Sequence, residues 1–175
     1  MKLFSKLSLN PEDPLAVREA IEHALDIGLS LKPNDLIPLH IQKLIKKIDH
    51  IGFSANLKTI PIILQYQKEH GFFLRCFKST IASKEFENDM IIYELKGGSL
   101  PLEIMVPIDN ISKYPQHHVA FSTHQEEDLI EIISSFNESI KLPGFMNGIM
   151  KNQQESVTAI YLDGGPVRLE FVYRG

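Results

Sequence analysis

Ile48-Asp49-His50-Ile51-Gly52-Phe53-Ser54 returns later in the chain as Gln116-His117-His118-Val119-Ala120-Phe121-Ser122, a shift of 68 residues from His50 to His118. The match continues downstream. Ile92-Tyr93, Gly97-Gly98 and Leu102-Glu103 return as Ile160-Tyr161, Gly164-Gly165 and Leu169-Glu170, with the tyrosines also shifted by 68 and the glycines and glutamates by 67. A pair of copies rather than an array argues against a solenoid and for two fused copies of one module.

Working outward from the repeated stretch, each copy has the same order of signals. In the first, 47–54 is strand-like, 57–70 is helix-like with Gly71 as its stop, and three strands follow at 72–79, 90–96 and 100–107, with a charged turn at 83–89. The second copy has a strand at 117–122, a helix at 125–139, and strands at 145–151, 156–162 and 167–174, after a linker at 109–116 bounded by Pro107 and Pro115. Each module therefore reads βαβββ. Glu126, Glu127 and Asp128 open the second helix, where carboxylates complement the positive end of the helix dipole. Ile130, Ile132, Ile133 and Phe136 supply its apolar stripe. The glycine pairs read as tight turns between strands, and no phosphate-binding loop or dinucleotide fingerprint is present.

Ahead of the repeat, Asn10-Pro11-Glu12-Asp13-Pro14 carries cap and breaker chemistry, and Leu15, Ile21, Ala24, Leu25 and Leu29 recur at helical spacing, predicting a helix over 14–29. Lys32-Pro33-Asn34-Asp35 ends it, and 36–47 reads as a shorter amphipathic helix that would cover a sheet edge or the mouth of the domain. The expected organisation is a helical extension over 1–45, a first βαβββ module over 46–110 and a second over 111–175.

With 175 residues, 43% of them hydrophobic, the chain can bury one sizeable core. The formal net charge of −4, with 18 scattered Lys and Arg, offers nucleic acid no basic stripe. No stretch approaches the roughly 20 apolar residues of a membrane span, and the first ten residues lack the apolar run and cleavage site of a signal peptide. The single cysteine, Cys76, cannot form an internal disulfide and reads as a core residue within 72–77. A cytoplasmic location is the expectation.

The chemistry lies in the ends of the modules. A lone histidine in an apolar strand is more often a core residue, and His23, His40, His70, His117 and His124 keep that reading. His50 and His118 differ because each has a glutamate partner, Glu103 and Glu170, at almost the same separation. Strand alternation puts His50 on one face with Ile48 and Gly52, and Asp49, Ile51 and Phe53 on the other. The second copy presents His118, Ala120 and Ser122 in the same way. Two curved sheets facing one another would bring two imidazoles and two carboxylates around one cation. Mixed nitrogen and oxygen ligation suits a divalent ion such as Zn, Ni, Co, Fe or Mn with positions left open for a small-molecule substrate.

Asp49-His50-Ile51-Gly52-Phe53, His118-Val119-Ala120-Phe121 and Leu169-Glu170-Phe171 resemble the signature strands of the glyoxalase I, bleomycin-resistance and dioxygenase family, the vicinal oxygen chelate superfamily. The resemblance covers about 46–175 and implies an α+β fold in which two tandem βαβββ modules form a metal-centred cup of curved mixed sheet. It implies His50, Glu103, His118 and Glu170 as metal ligands, with Glu170 the first candidate for a catalytic base and Glu103 the second. The activity it implies is that of a lyase or isomerase acting on an α-hydroxycarbonyl or hemithioacetal through a metal-bound enediolate. Alternatives within the resemblance are a dioxygenase, an epimerase, and a non-catalytic small-molecule binder of the bleomycin-resistance type. Arg75 and Arg168 are candidates for meeting an anionic substrate. Modules of such proteins pair within one chain or between two chains of a homodimer, and the sequence leaves both arrangements open.

Overall fold

The computed structural model describes residues 13–82, 87–108, 118–139, 150–152, 157–162 and 168–175. Its first helix, α1 (Pro14–Ser30), begins where Asp13 accepts a hydrogen bond from the Leu15 N–H at 3.0 Å and Pro14 occupies the first turn, a position that needs no N–H donor. A single turn, α2 (Leu39–Gln42), precedes β1 (Ile45–Ser54). The amphipathic helix expected over 36–47 is thus cut to four residues. Its C-terminal part is drawn into β1 because Ile45 and Lys47 pair with Thr123 and Ser122 across the sheet.

Helix α3 (Ile60–His70) ends on Gly71 in the left-handed conformation, φ 68°, as the stop signal requires. Strands β2 (Phe73–Ala82), β3 (Glu87–Lys96) and β4 (Leu102–Pro107) complete the first module. Residues 87–89, expected in a turn, belong to β3, since they pair with β2 as far as Ala82. The second module supplies β5 (His118–Thr123), α4 (Glu127–Ser139), β6 (Met150–Asn152), β7 (Val157–Leu162) and β8 (Arg168–Arg174). Helix α4 opens with the Asp128 carboxylate accepting from the His124 and Gln125 N–H groups at 3.1 and 3.0 Å. The linker 109–116, the turn residues 83–86, the Gly164-Gly165 pair and most of the strand expected over 145–151 lie outside the described residues.

Among the described residues, eight strands form one mixed sheet in the order β2-β3-β4-β1-β5-β8-β7-β6. The first strands of the two modules, β1 and β5, run antiparallel side by side at its centre, and each is flanked by the last strand of its own module in parallel, β4 beside β1 and β8 beside β5. The modules therefore pair within one chain. The sheet curls until its two edge strands, β2 and β6, approach one another.

The two faces of this sheet are chemically distinct. On the outer face, α1 and α3 bury Val17, Ile21, Ile27 and Ile63 against Ile51, Phe53, Leu102 and Ile104 of the first module. Residues of α2 and α4, among them Ile41, Leu129 and Ile132, with the neighbouring Ile37 and Leu44, pack on Val119, Phe121, Leu169 and Phe171 of the second. Leu31, between α1 and α2, touches both cores. The segment before β1 therefore covers the outer face of both halves rather than an edge or the cup's mouth, because its buried side chains complete two helix layers. On the inner face, Met90, Ile92 and Met105 form one apolar wall, and Ala159 with Val172 form part of the opposite one. Cys76 is exposed rather than buried, on a strand hydrogen-bonded on one side only. Among the described residues no helix is long and apolar enough to cross a membrane.

Candidate functional site

Two rows of residues cross the middle of the inner face. In one, Glu103 of β4 pairs with Gly52 of β1, which pairs with His118 of β5. In the next, Glu170 of β8 pairs with Ala120 of β5, which pairs with His50 of β1. Each row is a carboxylate, a small residue and an imidazole, and the two rows are related by the internal repeat. Directly paired residues project to the same side of a sheet, so both rows point into the cup.

The small residues in the middle let the large ones converge. A Cβ placed on Gly52 would lie 2.1 Å from Cε1 and 2.2 Å from Nε2 of His118, so the imidazole occupies the space that any other side chain would fill. His118 and His50 meet edge to face, ring centroids 5.2 Å apart at 89°, with their Nε2 atoms 3.1 Å apart. Glu170 Oε2 lies 3.1 Å from the Nε2 of His50 and 3.2 Å from that of His118. Glu103 Oε2 stands farther out, 3.7 Å from His50 Nε2. Both histidines and Glu170 are buried, and Glu103 is half-buried.

The donor atoms of His50, His118 and Glu170, 3.1–3.2 Å apart, have the spacing that a small divalent cation imposes. Donors about 2.1 Å from one ion lie about 3.0 Å apart along an octahedral edge and about 3.4 Å apart along a tetrahedral one. Among the described residues, His50, Glu103 and His118 each offer one ligand atom within 4.8 Å of the others. Among the described residues Glu170 Oε2 is buried and finds no hydrogen-bond partner, although two imidazole nitrogens lie within 3.2 Å of it. With both imidazoles neutral, Glu103 and Glu170 bring two negative charges to the centre. The residues fit a divalent cation.

Electrostatics without a cation points the same way. Burial pushes the His50 imidazole towards its neutral form, yet the charge of Glu103, the hydrogen bond to Asp49 and the neighbouring Glu170 together raise its pKa well above 6.5. Burial pushes the Glu170 carboxyl up, and the two imidazoles reverse this and hold it well below the ordinary carboxylate range. A proton on His50 offsets part of the negative charge that the carboxylates bring to the cluster.

Strand alternation misplaces two neighbours of this cluster. The pairing of β1 with β5 shifts register between Ile48 and His50, so Ile48 packs in the outer-face core of the second module. Asp49 is the extra residue of this bulge and lies beside His50, its Oδ2 accepting from His50 Nδ1 at 3.0 Å. Arg174, at the end of β8, donates to the same oxygen from Nε at 3.2 Å and Nη2 at 2.9 Å. Burial raises the Asp49 carboxyl, but His50 and Arg174 bring it down to about 2. Only the dipeptide Asp49-His50 hinted at this in the sequence; Arg174 gave no signal. Of the two other arginines considered for an anion, Arg75 lies over the Phe77 ring at 4.7 Å and 3.8 Å from Glu94, and Arg168 pairs in register with His118.

No protein-family model matches the chain, and no curated protein matches it. Solved structures do. The crystal structure of methylmalonyl-CoA epimerase from Mycobacterium tuberculosis aligns with 75% of this chain and 90% of its own, at 13% identity and a TM-score of 0.52. The chain has the vicinal oxygen chelate fold. Two looser likenesses are a hypothetical protein from Bacillus halodurans C-125, at 17% identity over 74% of this chain and 94% of that one with a TM-score of 0.45, and a glyoxalase family protein from Enterococcus faecalis, at 22% over 73% and 97% with a TM-score of 0.26. In this vicinal oxygen chelate fold the His and Glu cluster sits where the two modules meet.

Proposed function

We propose that the chain is a metal-dependent enzyme that moves a proton on a carbon beside a carbonyl group, an isomerase or lyase of the glyoxalase I kind acting on a small α-hydroxycarbonyl or hemithioacetal. The observation that carries this reading is the convergence of His50, His118, Glu170 and Glu103 at 3.1–3.7 Å on the inner face. A bound divalent cation (Zn, Ni, Co, Fe or Mn) supplies Lewis acidity that polarises a substrate oxygen and acidifies the adjacent C–H. His50, His118 and Glu170 hold it. Glu103 is our choice for the base, ahead of Glu170: its side chain is 14% exposed against 6% and it stands farther from the imidazoles, so it has more freedom to swing onto a substrate proton. The inner walls of Met90, Ile92, Met105 and Val172 exclude water from the anion left behind.

The likeness to an epimerase supports a second reading, in which the proton is removed and returned at the same carbon. Glu103 on β4 and Glu170 on β8 flank the central strands, so they would approach a substrate carbon between them from two sides, as a two-base transfer requires. Metal analysis of the protein refilled with each ion, beside Glu103→Gln and Glu170→Gln variants, followed by a screen of hemithioacetals, α-hydroxycarbonyls and chiral 2-substituted thioesters, separates the readings. Glu103→Gln should keep most of its metal and lose roughly 10²–10⁴-fold in turnover, the usual contribution of a general base. Glu170→Gln should lose the metal. A wild-type protein that takes up none of these ions removes the enzyme reading and leaves a ligand-binding cup.

A further inference from the structure

We infer that Asp49 and Arg174 are positioning residues for His50, a relay through which the last strand of the second module fixes the imidazole of the first. The inference rests on the metal reading above. An imidazole can bind a cation through only one nitrogen while the other keeps its proton, and the partner of that proton decides which nitrogen faces the centre. Asp49 Oδ2 accepts from Nδ1 of His50, which leaves the Nε2 lone pair directed at Glu170, Glu103 and His118. The β-bulge makes this contact available: without the register shift between Ile48 and His50, Asp49 would project to the outer face.

Arg174 supplies what the aspartate lacks. Asp49 is mostly buried, with 11% of its side chain exposed, and a free carboxylate there would bring a third negative charge beside the two glutamates. The guanidinium donates two hydrogen bonds to the oxygen that holds His50, so it neutralises that charge and fixes the carboxylate in one orientation. Glu170 and Arg174 share one face of β8, four residues apart, so one strand carries both a ligand and the anchor of a ligand on another strand.

The test is Co2+ uptake by the metal-free protein, followed by visible absorption and by competition with a chelating indicator, in wild type and in Asp49→Ala, Asp49→Asn, Arg174→Met and Arg174→Lys. Asp49→Ala should weaken Co2+ binding by about 10–100-fold, the usual cost of removing an outer partner of a ligand, and alter the absorption bands. Arg174→Met should move both readouts in the same direction by less, and Arg174→Lys, which keeps the charge and one donor, should restore most of the wild-type behaviour. Should Asp49→Ala not fold, Asp49→Asn and Arg174→Met carry the comparison. Folded Asp49 and Arg174 variants with wild-type affinity and spectrum overturn this inference alone; a wild-type protein that binds no Co2+ overturns it together with the metal reading.

Discussion

Gly52 is the position on which the cluster's geometry turns, because the His118 ring lies across it at a distance no Cβ allows. Its repeat partner, Ala120, is buried beside His50 and shows that a methyl group is tolerated in the other row. Gly52→Ala should therefore either cost about 1–3 kcal/mol of stability through overpacking or swing His118 out of the cluster. Thermal unfolding of the variant reads the first outcome as a lowered midpoint, and metal analysis reads the second as reduced metal content; a variant with the wild-type midpoint and metal content would contradict both. The titrating groups give a second prediction. Because His50 has its pKa raised in the metal-free protein, its contribution to stability is complete below 6.5 and is lost as pH rises through the folded-state value. Asp49, lowered to about 2, contributes above its ordinary value of 3.8 and loses that contribution as pH falls towards 2. Unfolding midpoints of the metal-free protein should decline on the alkaline side, while Co2+ affinity should rise with pH, because the cation competes with a proton for His50.

At the scale of elements, helix α1 acts as half of an outer layer. Ile21 is fully buried among side chains of α1, α3 and the first module's strands, whereas Leu15 and Leu29 of the same helix are 71% and 75% exposed. Ile21→Ala should cost about 2–5 kcal/mol and Leu29→Ala no more than about 0.5 kcal/mol, a contrast that chemical denaturation midpoints can read. The Arg18 and Glu69 pair, 2.7 Å apart between α1 and α3, is more than a third exposed on both sides and adds little to this packing. Loss of α1 would uncover Ile51, Phe53 and Ile104, the strand residues directly behind the inner-face cluster.

For the whole molecule, the antiparallel pairing of β1 with β5 decides how many sites there are. Because the two modules share one continuous sheet in a single chain, the four side chains meet without a second copy. One divalent ion per chain is expected, and the metal content of the refilled protein should not change on dilution across the range in which sedimentation velocity detects any change of assembly. A requirement for high protein concentration would contradict this and point to modules exchanged between chains.

The repeat, and with it the βαβββ order, was legible in sequence alone, because histidines and tyrosines recur after 68 residues and glycines and glutamates after 67, a relation that local propensity could not supply. The sequence also carried α1 and the end of α3, whose signals are local: an aspartate cap with proline in the first turn, and a glycine free to take positive φ. His50, Glu103, His118 and Glu170 could be read as a set from symmetry. That they converge depended on the pairing of β1 with β5, which no periodicity specifies. Three features belonged to the tertiary structure alone. The bulge turned Asp49 to the side of His50, a register shift that strict alternation had no means to express. Arg174 reached Asp49 across 125 residues of chain, through the juxtaposition of the two modules. The short α2 and the segment around it covered the second module's outer face, because burial of Ile37, Ile41 and Leu44 outweighed the helical pattern that ran on into β1. Local chemistry wrote the elements, and burial and strand pairing across the modules placed the residues that support the site.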